Sequence, residues 1–128
     1  MQKAIQQIKL LVNLARKDGE ISEREKNLIM NVGQANHMLA AEILPLLSAE
    51  HPTVMPENLT DNEKFEYLSS LVRLMKIDEL LYPEEIKYCA RVASRLGYDE
   101  MALFELMLRI NHLTPQEEID ALKGLKAS

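Results

Sequence analysis

The chain contains no tryptophan, a single cysteine and few aromatic residues of any kind. One cysteine, Cys89, excludes an internal disulfide and suits a reducing compartment. The scarcity of aromatic side chains, beside abundant Leu, Ala, Ile and Met, favours helices over sheets. No stretch approaches 18 consecutive apolar residues, and the first residues lack the apolar centre of a signal sequence. We therefore expect a cytoplasmic protein without membrane insertion.

Several function classes also lack their characteristic residues. The net charge is −5 and the basic residues are scattered among acids, which argues against nucleic-acid binding. The four glycines are isolated, so no loop is suited to cradle a phosphate. His37, His51 and His112 lie far apart, and no nucleophile stands near a base. We expect no enzymatic activity.

An internal repeat is the clearest pattern that is present. Residues 11–47 align without a gap with residues 71–107 at an offset of 60. The identical pairs are Leu11/Leu71, Val12/Val72, Leu14/Leu74, Asp18/Asp78, Glu25/Glu85, Val32/Val92 and Leu46/Leu106. The apolar pairs fall at helical spacing and fit a shared core pattern. Two copies of one unit usually pack about a pseudo-twofold axis.

Helical periodicity extends over nearly the whole chain, and no segment alternates as a strand would. We predict an all-α bundle of two pseudo-twofold-related three-helix repeats, about seven helices in all, with two central helices. Repeat one covers 3–47, a linker 48–59, repeat two 61–110, and a C-terminal helix 115–125, within one domain. Ser22 with Glu25, and Thr60 with Glu63, predict capping boxes. Pro45 either kinks the third helix or marks a restart.

The two helix–helix turns, 18–25 and 78–85, hold eight of the twenty acidic residues. Facing carboxylates would repel one another unless a cation compensated them, and oxygen ligands suit calcium, magnesium or manganese. An EF-hand is excluded because Leu14 and Arg16 stand where its loop needs oxygen ligands before Asp18. The candidate metal ligands are Asp18, Glu25, Asp78 and Glu85.

Ordinary local roles also explain some of these acids. A glycine follows Asp18 in a common turn pair, and Glu25 is where a capping box needs an acid. Neither reason holds in the second copy, where Glu79 replaces the glycine and Tyr82 replaces the capping serine. The preference of helix N-termini for acids still covers the glutamates.

The segment Ala15–Glu25 resembles the signature of TerB-like domains, which are associated with tellurite resistance and precede some membrane-bound J-domain co-chaperones. The resemblance covers about residues 5–108, although the second copy departs from it by lacking the glycine. It implies a duplicated helical bundle, a role in bacterial stress or resistance, and metal ligation by Asp18, Glu25, Asp78 and Glu85.

Two functions from different classes follow. The first is a non-enzymatic domain that binds a divalent cation through the four acids. The alternative is a protein-interaction module whose acids form a surface patch for a basic protein partner, with no ion. The first requires that the two turns lie together.

Overall fold

The computed structural model describes residues 2–48, 51–52, 55–77 and 83–109, and of Asp18 and Arg109 the backbone alone. These residues form only helices and connecting turns, without a strand, which confirms the all-α prediction. The predicted C-terminal helix 115–125 lies outside the described residues. The α-helices are α1 (Gln2–Ala15), α2 (Glu23–Ala35), α3 (Ala40–Ile43), α4 (Asp61–Lys76), α5 (Pro83–Arg95) and α6 (Glu100–Arg109), with 3-10 helices at Arg16–Asp18 and Leu44–Ser48.

The helices α1 and α4 pack against each other and form the centre of the molecule. Both are buried on most sides, as their broad apolar pattern predicts. Burying one large aliphatic side chain contributes about 1.5–3 kcal/mol, so this helix pair accounts for much of the core. Its completely buried aliphatic side chains include Ile8, Leu11, Val12, Leu68, Leu71 and Val72.

A polar contact interrupts this apolar interface. The Gln7 side-chain amide donates to the Ser70 hydroxyl at 3.2 Å and to the Glu66 carbonyl at 3.4 Å. Its own oxygen accepts from the Asn36 amide at 3.5 Å. The buried amide is therefore hydrogen-bonded at both ends, which offsets its desolvation.

Both predicted capping boxes are present. At α2, the Ser22 hydroxyl accepts from the Glu25 amide at 3.2 Å, and the Glu25 carboxylate accepts from the Ser22 amide at 2.9 Å. The Thr60–Glu63 pair makes the same two bonds at α4, at 3.1 and 2.8 Å. Each box satisfies two amide groups that a helix start otherwise leaves unpaired.

The α-helix α3 is much shorter than the pattern over 39–47 predicts. It ends at Ile43 and continues as the 3-10 helix through Pro45. Pro45 has no amide hydrogen, so it cannot donate to the carbonyl four residues earlier. The chain changes its helix type at this point, where we expected a kink or a restart.

The helical spacing of Leu28, Ile29, Val32 and Ala35 predicts that these residues form the inner face of α2, and the observed face differs from this prediction. Ile29 is buried as expected, but Ala35 is exposed and Gly33 is buried. A Cβ atom placed at Gly33 would lie 2.4 Å from Ile43 Cδ1 and 3.4 Å from Ile8 Cδ1. The absence of a side chain at Gly33 is therefore what allows this close packing.

Hydrogen bonds from side chains of α1 and of the 3-10 helix after it hold the backbone of the segment that follows α3. The Asn13 side chain donates to the His51 carbonyl at 2.7 Å and accepts from the His51 amide at 2.8 Å. The Arg16 guanidinium donates to the Leu47 carbonyl at 3.0 Å. These three hydrogen bonds, two from α1 and one from the 3-10 helix that follows it, fix where the linker begins.

None of the helices within the described ranges is long and apolar enough to cross a membrane.

Candidate functional site

The first acidic turn is closed by a change of helix type. After α1, the 3-10 helix Arg16–Asp18 ends at Gly19, whose amide donates to the Arg16 carbonyl at 3.1 Å. Gly19 has a φ of 115°, a conformation that a residue with a Cβ atom rarely adopts. Asp18 is therefore the last residue before the chain reverses direction, and α2 begins four residues after Gly19.

The side chain of Glu25 is buried, with only 3% of its surface exposed. One of its oxygens closes the capping box with the Ser22 amide. The carboxylate also lies at the positive end of the α2 dipole, which stabilises its charge. Glu25 therefore has the capping role that its position three residues after Ser22 predicts.

The equivalent acid of the second copy is buried as well. Glu85 is 5% exposed and lies two residues after Pro83, which occupies the first position of α5, where a proline is favoured. Burial, together with the negative charge of Glu85 one turn earlier, raises the pKa of the Cys89 thiol to about 12. Cys89 itself is completely buried, and a buried thiol with a raised pKa is unreactive. Asp78 lies outside the described residues.

Contacts next to the two turns cross between the halves of the chain. Lys17, directly before Asp18, has its Nζ 5.1 Å from the centroid of the Tyr88 ring. Tyr88 lies one turn beyond Glu85 on α5. Lys17, two residues after the end of α1, therefore lies next to α5, the helix whose first turn contains Glu85.

A second crossing lies at the end of the other central helix. Ile77, the last described residue before Asp78, lines a cleft of about 270 Å³ together with Leu28. Leu28 lies one turn beyond Glu25 on α2. At the offset of 60, Ile77 corresponds to Lys17 and Leu28 to Tyr88, so the residues that share this cleft are at the positions equivalent to the first pair.

The described side chains do not by themselves complete a metal site. Among them, no three His, Cys, Asp or Glu residues are close enough to share an ion. The structure describes only the backbone of Asp18, and Asp78 lies outside the described residues. Two of the four predicted ligands, Glu25 and Glu85, are thus located, each at the beginning of a helix and each buried.

Sequence reasoning missed a basic cluster beside these turns. Two cations lie near the Tyr88 ring: the Lys17 ammonium, and the Arg91 guanidinium at 5.8 Å from the ring centroid. The spacing of Tyr88 and Arg91 on α5 signals a shared helix face. The sequence contains no signal that Lys17, about 70 residues earlier, joins them.

Comparison of the chain with protein-family models, with curated proteins and with solved structures gives no match in any of the three.

Proposed function

We propose that this protein is a non-enzymatic domain of two pseudo-twofold-related repeats that binds a divalent cation between its two acidic turns. The ligands are the carboxylates of Asp18, Glu25, Asp78 and Glu85, and the ion is calcium, magnesium or manganese. The TerB-like resemblance implies the same ligands and adds a role in bacterial stress or tellurite resistance.

The proximity of two equivalent residue pairs, one across a ring contact and one across a shared cleft, carries this proposal. Lys17 lies against Tyr88, and Ile77 shares a cleft with Leu28. Lys17 and Ile77 each directly precede one of the two aspartates. Tyr88 and Leu28 each lie one helical turn after the glutamate of the opposite repeat. This is the relation expected when two copies exchange contacts about an axis close to both turns.

The helix bounds give further support for the repeat. Glu23–Ala35 of α2 corresponds residue for residue to Pro83–Arg95 of α5 at the offset of 60. The helices α3 and α6 likewise begin 60 residues apart, at Ala40 and Glu100. Equal helix starts on both sides are expected when one ancestral unit has been duplicated.

The chemistry of the candidate ligands supports the choice of a divalent cation. Glu25 and Glu85 have only 3% and 5% of their surface exposed, and both have partners within the chain, which for Glu25 include the Ser22 amide. A hard divalent cation prefers oxygen ligands and would bind these carboxylates in addition to those partners.

The test is a titration with each of the three ions, followed by calorimetry and by thermal unfolding in the absence of phosphate. An ion at 100 times its dissociation constant adds about 2.7 kcal/mol of stability. For a domain of this size, that corresponds to a rise of about 10 °C in the melting temperature. Asp18→Asn and Asp78→Asn should each remove the rise.

Glu20→Gln is the matched control, since Glu20 is an exposed acid of the same turn and is not a proposed ligand. This variant should keep the ion-dependent rise. Identical melting of the wild type with chelator and with every ion would refute the proposal.

The interaction module remains the alternative, and one observation favours it. The helix α6 exposes 59% of Met101, 43% of Phe104 and 74% of Leu108, which share one helix face. An acidic patch would have to consist of exposed acids such as Glu20 and Glu84, because Glu25 and Glu85 are buried. Salt-dependent binding of a lysine-rich peptide, without any effect of ions on melting, would support this alternative.

A further inference from the structure

Three cationic residues converge on one cleft of this acidic protein. The cleft has a volume of about 210 Å³ and lies between the end of the first helical segment and α5. Its described lining contains no carboxylate, although the chain has 20 acidic and 15 basic residues. The lining residues are Lys17, Tyr88, Arg91, Val92 and Arg95.

The ring of Tyr88 holds two of these cations in place. Tyr88 is 97% buried, so its ring is a fixed floor for the cleft. The Lys17 ammonium lies 5.1 Å and the Arg91 guanidinium 5.8 Å from the ring centroid. Both are within the range of a cation–π contact. Because both distances are measured to the same ring centroid, the separation of the Lys17 and Arg91 charges cannot exceed their sum.

The positions on α5 bring a third cation to the same face. Arg91 and Arg95 are one helical turn apart, and Tyr88 precedes Arg91 by three residues. Arg91 and Lys17 both have exposed side chains, so their donor groups are accessible from solvent. Arg95 has a further partner within the chain, whereas Lys17 and Arg91 place two like charges beside one ring, and a bound anion would add an attractive interaction with both.

The chemistry of the donors points to a phosphate. A guanidinium presents a planar fork of N–H groups that matches phosphate oxygens, and an ammonium adds a compact charge with three donors. The cleft has room for a phosphate group and is open to solvent on one side. We propose that the cleft formed by Lys17, Arg91 and Arg95 over the Tyr88 ring binds a phosphate group, either free, on a small ester or on a lipid headgroup.

The test uses the full chain with chelator present, so that no ion bound at the acidic turns contributes. Inorganic phosphate is added at constant ionic strength, with chloride as the balancing anion, while amide and tyrosine-ring NMR signals are followed. The expected result is a saturable shift that includes Lys17, Tyr88 and Arg91. Arg91→Gln and Lys17→Gln should each weaken binding by about fivefold to tenfold, through the loss of one charge-assisted contact.

Arg24→Gln is the matched control, because Arg24 is an exposed arginine of α2 outside the cleft and the variant changes the net charge equally. It should leave the affinity unchanged. A second arm measures sedimentation with vesicles of phosphatidic acid in phosphatidylcholine. Vesicle binding that Arg91→Gln abolishes, without binding of free phosphate, supports the site and assigns the phosphate to a lipid. Equal weakening by Arg24→Gln, or no saturable binding in either arm, overturns the proposal.

Discussion

Replacing Gly33 by alanine tests how closely α2 packs on its neighbours. Alanine is the better helix former by about 1 kcal/mol, so a solvent-exposed glycine in this helix would gain stability from the change. At Gly33 the new methyl group would lie 2.4 Å from Ile43 Cδ1 and 2.9 Å from Ile43 Cγ1. Both distances are far shorter than a normal carbon–carbon contact of about 3.5–4.0 Å.

The crowding should outweigh the gain in helix propensity. Ile43 is completely buried. Rotation about its Cβ–Cγ1 bond moves Cδ1 away from the new methyl group but leaves Cγ1 in place. Overpacking a dense core costs about 1–3 kcal/mol. After the gain of about 1 kcal/mol in helix propensity is subtracted, we predict that Gly33→Ala lowers the free energy of unfolding by up to about 2 kcal/mol.

Urea denaturation of a double-mutant cycle measures this effect and locates its cause. Ile43→Val removes Cδ1, so the double variant should be more stable than the two single changes imply, by about 1 kcal/mol. The pair Gln34→Ala and Gln34→Gly, at an exposed neighbouring position, gives the intrinsic difference between alanine and glycine in α2. A Gly33→Ala variant as stable as the wild type would show that Ile43 yields freely and that our reasoning is wrong.

Two further predictions concern the linker and the buried thiol. Asn13→Ala removes the partner of both backbone groups of His51 and should cost about 1–3 kcal/mol, with faster hydrogen exchange at the His51 amide; unchanged exchange there would contradict it. The pKa of Cys89 is raised to about 12 by burial and by Glu85, so the unfolded chain releases this proton at lower pH than the folded one. Stability from this thiol should be complete below about pH 8.5 and should be lost as the pH rises towards 12. Cys89→Ala should flatten that decline in urea titrations, and an unaltered slope would refute the assignment.

Helix starts were the most predictable part of the fold, since they depend on residues a few positions apart. The boxes at Ser22 and Thr60 formed as expected, and Asp99 caps α6 by accepting from the Ala102 amide at 2.9 Å. The inner face of α2 was partly mispredicted because periodicity counts alanine as apolar and gives glycine no weight. Gly33 is buried through its contact with Ile43, which lies on another helix.

The candidate site was predictable only in its parts. The spacing of the acids along the chain identified Glu25 and Glu85, and both begin helices as expected. Their burial depends on tertiary packing, which no local pattern encodes. The approach of Lys17 to Tyr88 joins residues about 70 positions apart, so sequence alone supplied no basis for the cationic cleft.

The amide of Gln7 has a consequence for how the two central helices can align. Aliphatic surfaces tolerate sliding by one helical turn, because one leucine replaces another at little cost. Such a slip here would separate Gln7 from Ser70 and Asn36 and leave a buried amide without partners. One buried glutamine therefore favours a single register of α1 against α4.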